Sequence, residues 1–228
     1  MDTFTRRNDG GRGSKLMFGF RLKYFGWLIA VMCLMAKASA ATETSQRFTV
    51  NQDELVFNGD IDSADPTAHD DRTIGETLRE NPNIRVVVLT GDFPLFLDAF
   101  SAARQIEEFG VATAVRGRCS RNCIYMFLAG KTRKILEGGY FALQRTSIDA
   151  ETVREKFTEL KDSYGWTDEY QESAWLYRKA EIHMQTALQY LISKGIAPKF
   201  ALEIFETERD VYWQPTREEL IAANVIER

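Results

Sequence analysis

The chain has 228 residues, 44% of them hydrophobic and 27% charged, with a net charge of −4. That length is enough for one sizeable core or two small ones. The proportions are those of a folded globular chain, which excludes a disordered or collagen-like one, and the acidic balance argues against non-specific nucleic-acid binding.

Residues 1–40 read as a targeting segment. Arg21 and Lys23 precede the apolar run YFGWLIAVMCLMA, and Ala38-Ser39-Ala40 fits a small-residue cleavage site. The run is shorter than the roughly 20 residues of a spanning helix. Cleavage is predicted after Ala40, with delivery to the periplasm or the exterior. An uncleaved N-terminal anchor is the alternative, and it is the only membrane attachment expected. Cys33 does not suggest a lipidated N-terminus, because Met32 stands where a small residue is wanted. Seven of the 29 basic and two of the 33 acidic residues lie in this segment, so the remainder carries a net charge near −9. Residues 41–228 are expected to form a single domain.

In that domain QRFTVNQDELVFNGDID alternates apolar and polar residues, as in one or two strands with a turn at Asn51-Gln52. SADPTAHDD reads as loop and RTIGETLREN as a short helix. IRVVVLTG is a β-branched run suited to a strand buried on both faces. FLDAFSAARQIEEFG is a helix closed by Gly110. VATAV is the next strand, followed by a helix from about Cys123 to Ala129 and a strand in GGYFALQ. Alternation of strand and helix predicts right-handed βαβ units and a parallel sheet. After Asp149 the chain turns helical. Thr167 is the expected N-cap of a long helix that ends before Gly195. Pro198 opens another helix, and Thr216 with Glu219 forms a capping box. The fold class is α/β with a helical C-terminal portion.

Several stretches, in this order, resemble the Clp-type serine protease and crotonase superfamily, in particular its secreted single-domain bacterial members. They are LVFNGDI, VVVLTGDFPLFLDAF, GRCSRNCIYMFLAG, GGYFALQR, the long helix ending near Gly195, and TERDVYWQPTREELIAANVI. The resemblance covers about Leu55 to Ile226. It implies a ββα spiral around a parallel sheet. The site it implies has a serine at a helix start, a histidine as base, an aspartate that orients the histidine, and backbone N–H groups for the oxyanion.

On that resemblance the nucleophile position falls on Arg121, which has only donors and cannot attack an acyl carbon. The histidine position is Gln144, whose amide is no base. The acid position, Asp210, is retained. The oxyanion loop falls on Phe93 and Pro94, and Pro94 has no N–H. The expectation is a proteolytically inactive protein acting by binding or assembly, with Arg121 either paired to Asp210 or free to bind a small anion. The alternative is a serine-type hydrolase or peptidase using Ser120 with a non-standard base. Ser120 otherwise reads as the cap of the helix that follows.

Cys119 and Cys123 are the only cysteines beyond residue 40. A disulfide is allowed in an oxidising compartment, and on a regular helix the four-residue spacing suits one. Metal binding is the other reading, and no histidine cluster supports it. His183 reads as a packing or surface residue and His69, beside Asp70 and Asp71, as solvated. Lys131 and Lys134 read as turn lysines rather than catalytic bases. No cofactor and no metal are expected. Tyr164, Trp166, Tyr170, Trp175 and Tyr177 gather at the start of the long helix. The family resemblance implies subunit contacts through 167–194, hence a homo-oligomer or an unknown protein partner.

Overall fold

The longest strand explains the architecture. In the computed structural model, which describes residues 46–61, 70–144, 149–206 and 212–227, the segment after Gly110 forms a ten-residue strand. The elements in order are β1 (Phe48–Asn51), β2 (Glu54–Asn58), α1 (Asp70–Glu80), β3 (Val86–Phe93), α2 (Phe96–Phe109), β4 (Ala112–Arg121) and α3 (Cys123–Leu128). There follow β5 (Arg133–Ile135), β6 (Tyr140–Ala142), α4 (Ala150–Tyr164), α5 (Glu169–Ser193), α6 (Pro198–Glu206) and α7 (Arg217–Ala222).

β4 is the centre of the sheet. One edge pairs in parallel with β3, and the other edge pairs first with β5 and then with β6. β2 continues the parallel sheet beyond β3, and β1 closes it antiparallel. The α/β class with a mostly parallel sheet and a helical C-terminal portion is therefore present. The β3–β4 register shifts between Leu89 and Gly91: Leu89 faces Val115, but Gly91 faces Cys119. Two extra residues on β4 are taken up in this bulge. An even shift leaves the inward and outward faces unchanged beyond it.

Val87, Val88 and Leu89 are all fully buried, which requires cover on both faces of β3. Every residue of α3 is buried, as expected of a helix that is apolar all round. α2 turns Ala99, Ala102, Ala103 and Ile106 inward, and Gly110 ends it in the left-handed conformation its missing Cβ permits. All described residues belong to one compact unit, Ser45–Arg228. No helix among them is long and apolar enough to cross a membrane.

Some boundaries differ from expectation. The first turn is at Gln52–Asp53, one residue later than the composition suggested. Asp168, not Thr167, caps α5 by accepting from the Gln171 N–H, while the Thr167 N–H donates to the Gln171 amide oxygen. The acid wins because its carboxylate reaches the free N–H groups of the first turn. The Thr216–Glu219 capping box is formed as read. Of the five aromatic residues near this helix start, Tyr164, Trp166 and Trp175 pack ring to ring. Tyr170 and Tyr177 are exposed.

Candidate functional site

Parallel pairing brings the C-terminal ends of β3 and β4 together. Asp92 lies opposite Ser120 and Phe93 opposite Arg121. This edge of a parallel sheet is where α/β proteins place ligands. Its geometry is set by two connections between the two chain segments and by a third within the β4–α3 segment.

The first is the Asp92 carboxylate. Oδ1 accepts the Ser120 hydroxyl at 2.8 Å, and Oδ2 faces Arg121 Nε at 3.2 Å. Nε is enclosed and meets the carboxylate as an ion pair rather than as an aligned hydrogen bond. The guanidinium-bearing side chain is still 37% exposed. The second connection is Asn122. Its backbone N–H and its side-chain amide both donate to the Phe93 carbonyl, and the amide also donates to the Pro94 carbonyl at 3.0 Å. The third is a disulfide between Cys119, in β4, and Cys123, the first residue of α3.

The bond spans Ser120, Arg121 and Asn122. Within that span Arg121 adopts φ 52°, the left-handed region that non-glycine residues enter only at a cost of about 1–3 kcal/mol. The disulfide and the Asn122 hydrogen bonds hold this conformation on both sides. A further pair supports the floor of the cluster. Asp60 Oδ1 accepts from Arg118 Nη2 at 2.7 Å and from the Asp92 N–H at 3.0 Å. Asp60 and Asp92 thus offset Arg118 and Arg121.

Two sequence-based expectations change here. Ser120 does not cap a helix: it is the penultimate residue of β4, and Asn122 occupies the N-cap position of α3 without a side-chain cap bond. Strand pairing with β3 carries regular structure through Arg121, so the residues before Asn122 are strand. The two cysteines do not share a helical turn either. They join a strand end to a helix start, with Cα atoms 5.5 Å apart.

Phe93 is buried, and its ring packs edge-on against Phe57. Its carbonyl, not an N–H, is the group turned to the loop. Gln144 is half-buried just after Leu143, which bridges to Trp213. Asp210 and His69 lie outside the described residues, and so does the proposed Arg121–Asp210 pair. Lys131 is exposed after α3 and Lys134 lies in β5, neither of them in the Asp92 cluster. His183 is half-buried and stacks on Phe96. Among the described residues no group of three or more His, Cys, Asp or Glu is placed to hold a metal ion. Sequence reasoning missed Asp92 and Asn122. Asp92 follows Gly91 directly at the end of a buried strand, and that position was the available signal.

No protein-family model matches the chain, and no curated protein matches it. Solved structures similar to it include a monofunctional enoyl CoA isomerase from M. smegmatis, at 15% identity and a TM-score of 0.44 over 81% of this chain and 77% of that one. A protein of the enoyl-CoA hydratase/isomerase family from Hyphomonas neptunium gives 15% and 0.41 over 80% and 68%. An enoyl-CoA hydratase from Mycobacterium avium subsp. paratuberculosis gives 11% and 0.40 over 78% and 65%. The chain spans about two thirds of the length of these last two proteins.

Proposed function

We propose that the protein is exported and acts by binding, without hydrolytic chemistry, on a crotonase-like and Clp-like framework. The observation that carries this reading is the state of Ser120. Its side chain is fully buried, and its proton is directed to Asp92 rather than to a histidine. A nucleophile must reach an acyl carbon and be relieved of its proton by a base matched to neutral pH. Arg121, beside it, has the planar fork suited to a carboxylate or phosphate. The bound ligand on this reading is a small anion. The Cys119–Cys123 disulfide supports export, since such bonds persist in oxidising compartments.

Self-association through α5 is part of the same proposal. Tyr170, Tyr177 and Met184 are 84%, 68% and 47% exposed and recur every seven residues, so they form one stripe. Sedimentation of wild-type protein against a Tyr170→Ser/Tyr177→Ser variant tests this, and a wild-type monomer refutes it.

One observation favours a second reading. The Asp92 carboxylate at 2.8 Å gives Ser120 a hydrogen-bond acceptor, which a hydrolase could use as an unusual base. A fluorophosphonate probe on residues 41–228 separates the two. No labelling is expected. Stoichiometric labelling of Ser120 establishes the hydrolase instead.

A further inference from the structure

A cleft of about 410 Å3 opens between α2 and α5, on residues distinct from the Asp92–Arg121 cluster. Its volume is in the range of small-molecule sites. The sequence builds it from two helix faces. Phe96, Phe100 and Arg104 recur every four residues on α2, and Lys179, Ile182 and His183 share one side of α5. The helices run in the same direction. Phe96 stacks on His183 with centroids 4.7 Å apart, Phe100 meets Tyr190 at 4.9 Å, and Glu107 pairs with Lys194 at 2.8 Å.

The lining has two kinds of chemistry. Phe96, Phe100 and His183 supply a ladder of rings, with Phe96 and Phe100 4.8 Å apart. Arg104 and Lys179 supply charge, and no carboxylate is among the lining residues. Among the described residues neither cation is in an ion pair. Arg104 donates to Ser101 Oγ at 3.3 Å, and the Lys179 ammonium lies 5.3 Å from the Trp175 ring centroid. Burial, and then the Lys179 charge, lowers the His183 pKa from its ordinary value, so charge selection falls to the cations.

We propose that this cleft binds a planar aromatic anion. The ligand ring extends the Phe96–Phe100–His183 stack, and its carboxylate meets Arg104, one turn beyond Phe100 on α2, while Lys179 at the other end of the cleft adds longer-range positive charge. Ring stacking supplies apolar contact with defined geometry, and the guanidinium supplies a planar partner for a carboxylate. The stripe of Tyr170, Tyr177 and Met184 is on the opposite side of α5, at 100° per residue. Self-association through that stripe therefore leaves the cleft open.

2-Naphthoate tests the proposal, with 2-naphthamide as the uncharged molecule of matching shape. His183 is one of only two histidines, so its ring protons give a resolved NMR signal, assigned with His183→Gln. Saturable movement of that signal by naphthoate is expected, with naphthamide at least about tenfold weaker. An Arg104→Gln/Lys179→Gln variant is expected to lose that preference, and Arg121→Gln to keep it. Both single variants are read alongside, and near-UV circular dichroism confirms their packing. The proposal is overturned if naphthoate leaves the His183 signal in place. It is equally overturned if naphthamide binds as tightly as naphthoate, or if the double variant retains the preference.

Discussion

The Asp92 carboxylate accepts the hydroxyl of Ser120 across the β3–β4 pair at 2.8 Å, and Ser120 has no exposed surface. Asp92→Ala is expected to leave the hydroxyl with only the Gly91 carbonyl, 3.4 Å away, and to lower stability by about 1–3 kcal/mol. Asp92→Asn keeps an acceptor oxygen and loses the charge opposite Arg121, so a smaller loss is expected. Urea denaturation of the three proteins checks the order. Equal losses for the two variants would show that Arg121, not Ser120, is the partner that matters.

The Cys119–Cys123 bond closes a short loop, and short loops restrict the unfolded chain least. With a separation of four residues the chain-entropy contribution is about 2 kcal/mol. Reduction is expected to lower the urea midpoint accordingly. It is also expected to loosen Arg121 more than the rest of the sheet, because the bond holds its left-handed conformation. Hydrogen exchange at residues 119–123, with and without reductant, reads the second effect. Uniform loss of protection over β3 and β4 would refute a local clasp.

The sheet was legible because burial on two faces leaves a plain mark: three consecutive buried residues in β3 need an uninterrupted apolar run. Gly110 and the Thr216–Glu219 box were legible because caps are local chemistry. The site was not. Ser120 finds its acceptor 28 residues away on a neighbouring strand, and nothing near it in sequence signals the partner. The register that aligns Asp92 with Ser120 also depends on the bulge after Leu89, which no hydrophobic period records. The sequence places Ser120 as a cap because an apolar helix follows it closely. Tertiary pairing with β3 overrode that local preference.

Gly91 joins the two halves of the cluster. It has φ 95°, and a Cβ built there would lie 2.6 Å from the Asp60 nitrogen. Both the backbone conformation and the space exclude a side chain. Gly91→Ala is expected to cost about 1–3 kcal/mol or more and to separate Asp60 from Asp92 and Arg118. Thermal unfolding measures the first effect. A variant as stable as the parent would mean that this strand end relaxes freely.

His183 gives the fold a pH dependence of known sign. Burial against Phe96, and then the nearby Lys179 ammonium, holds its pKa below the ordinary 6.5. The unfolded chain therefore takes up this proton more readily than the folded one. Where the unfolded state binds more protons, stability rises with pH. The contribution is fully present above about 6.5 and is lost as pH falls from there toward the lower folded value. Wild-type protein is expected to lose more stability than His183→Gln between about pH 7.5 and about pH 5.5, a range above most carboxylate titration. His69 is common to both proteins, so the difference isolates His183. Paired urea titrations at the two pH values measure it, and parallel losses would refute the packing of a neutral imidazole against Phe96.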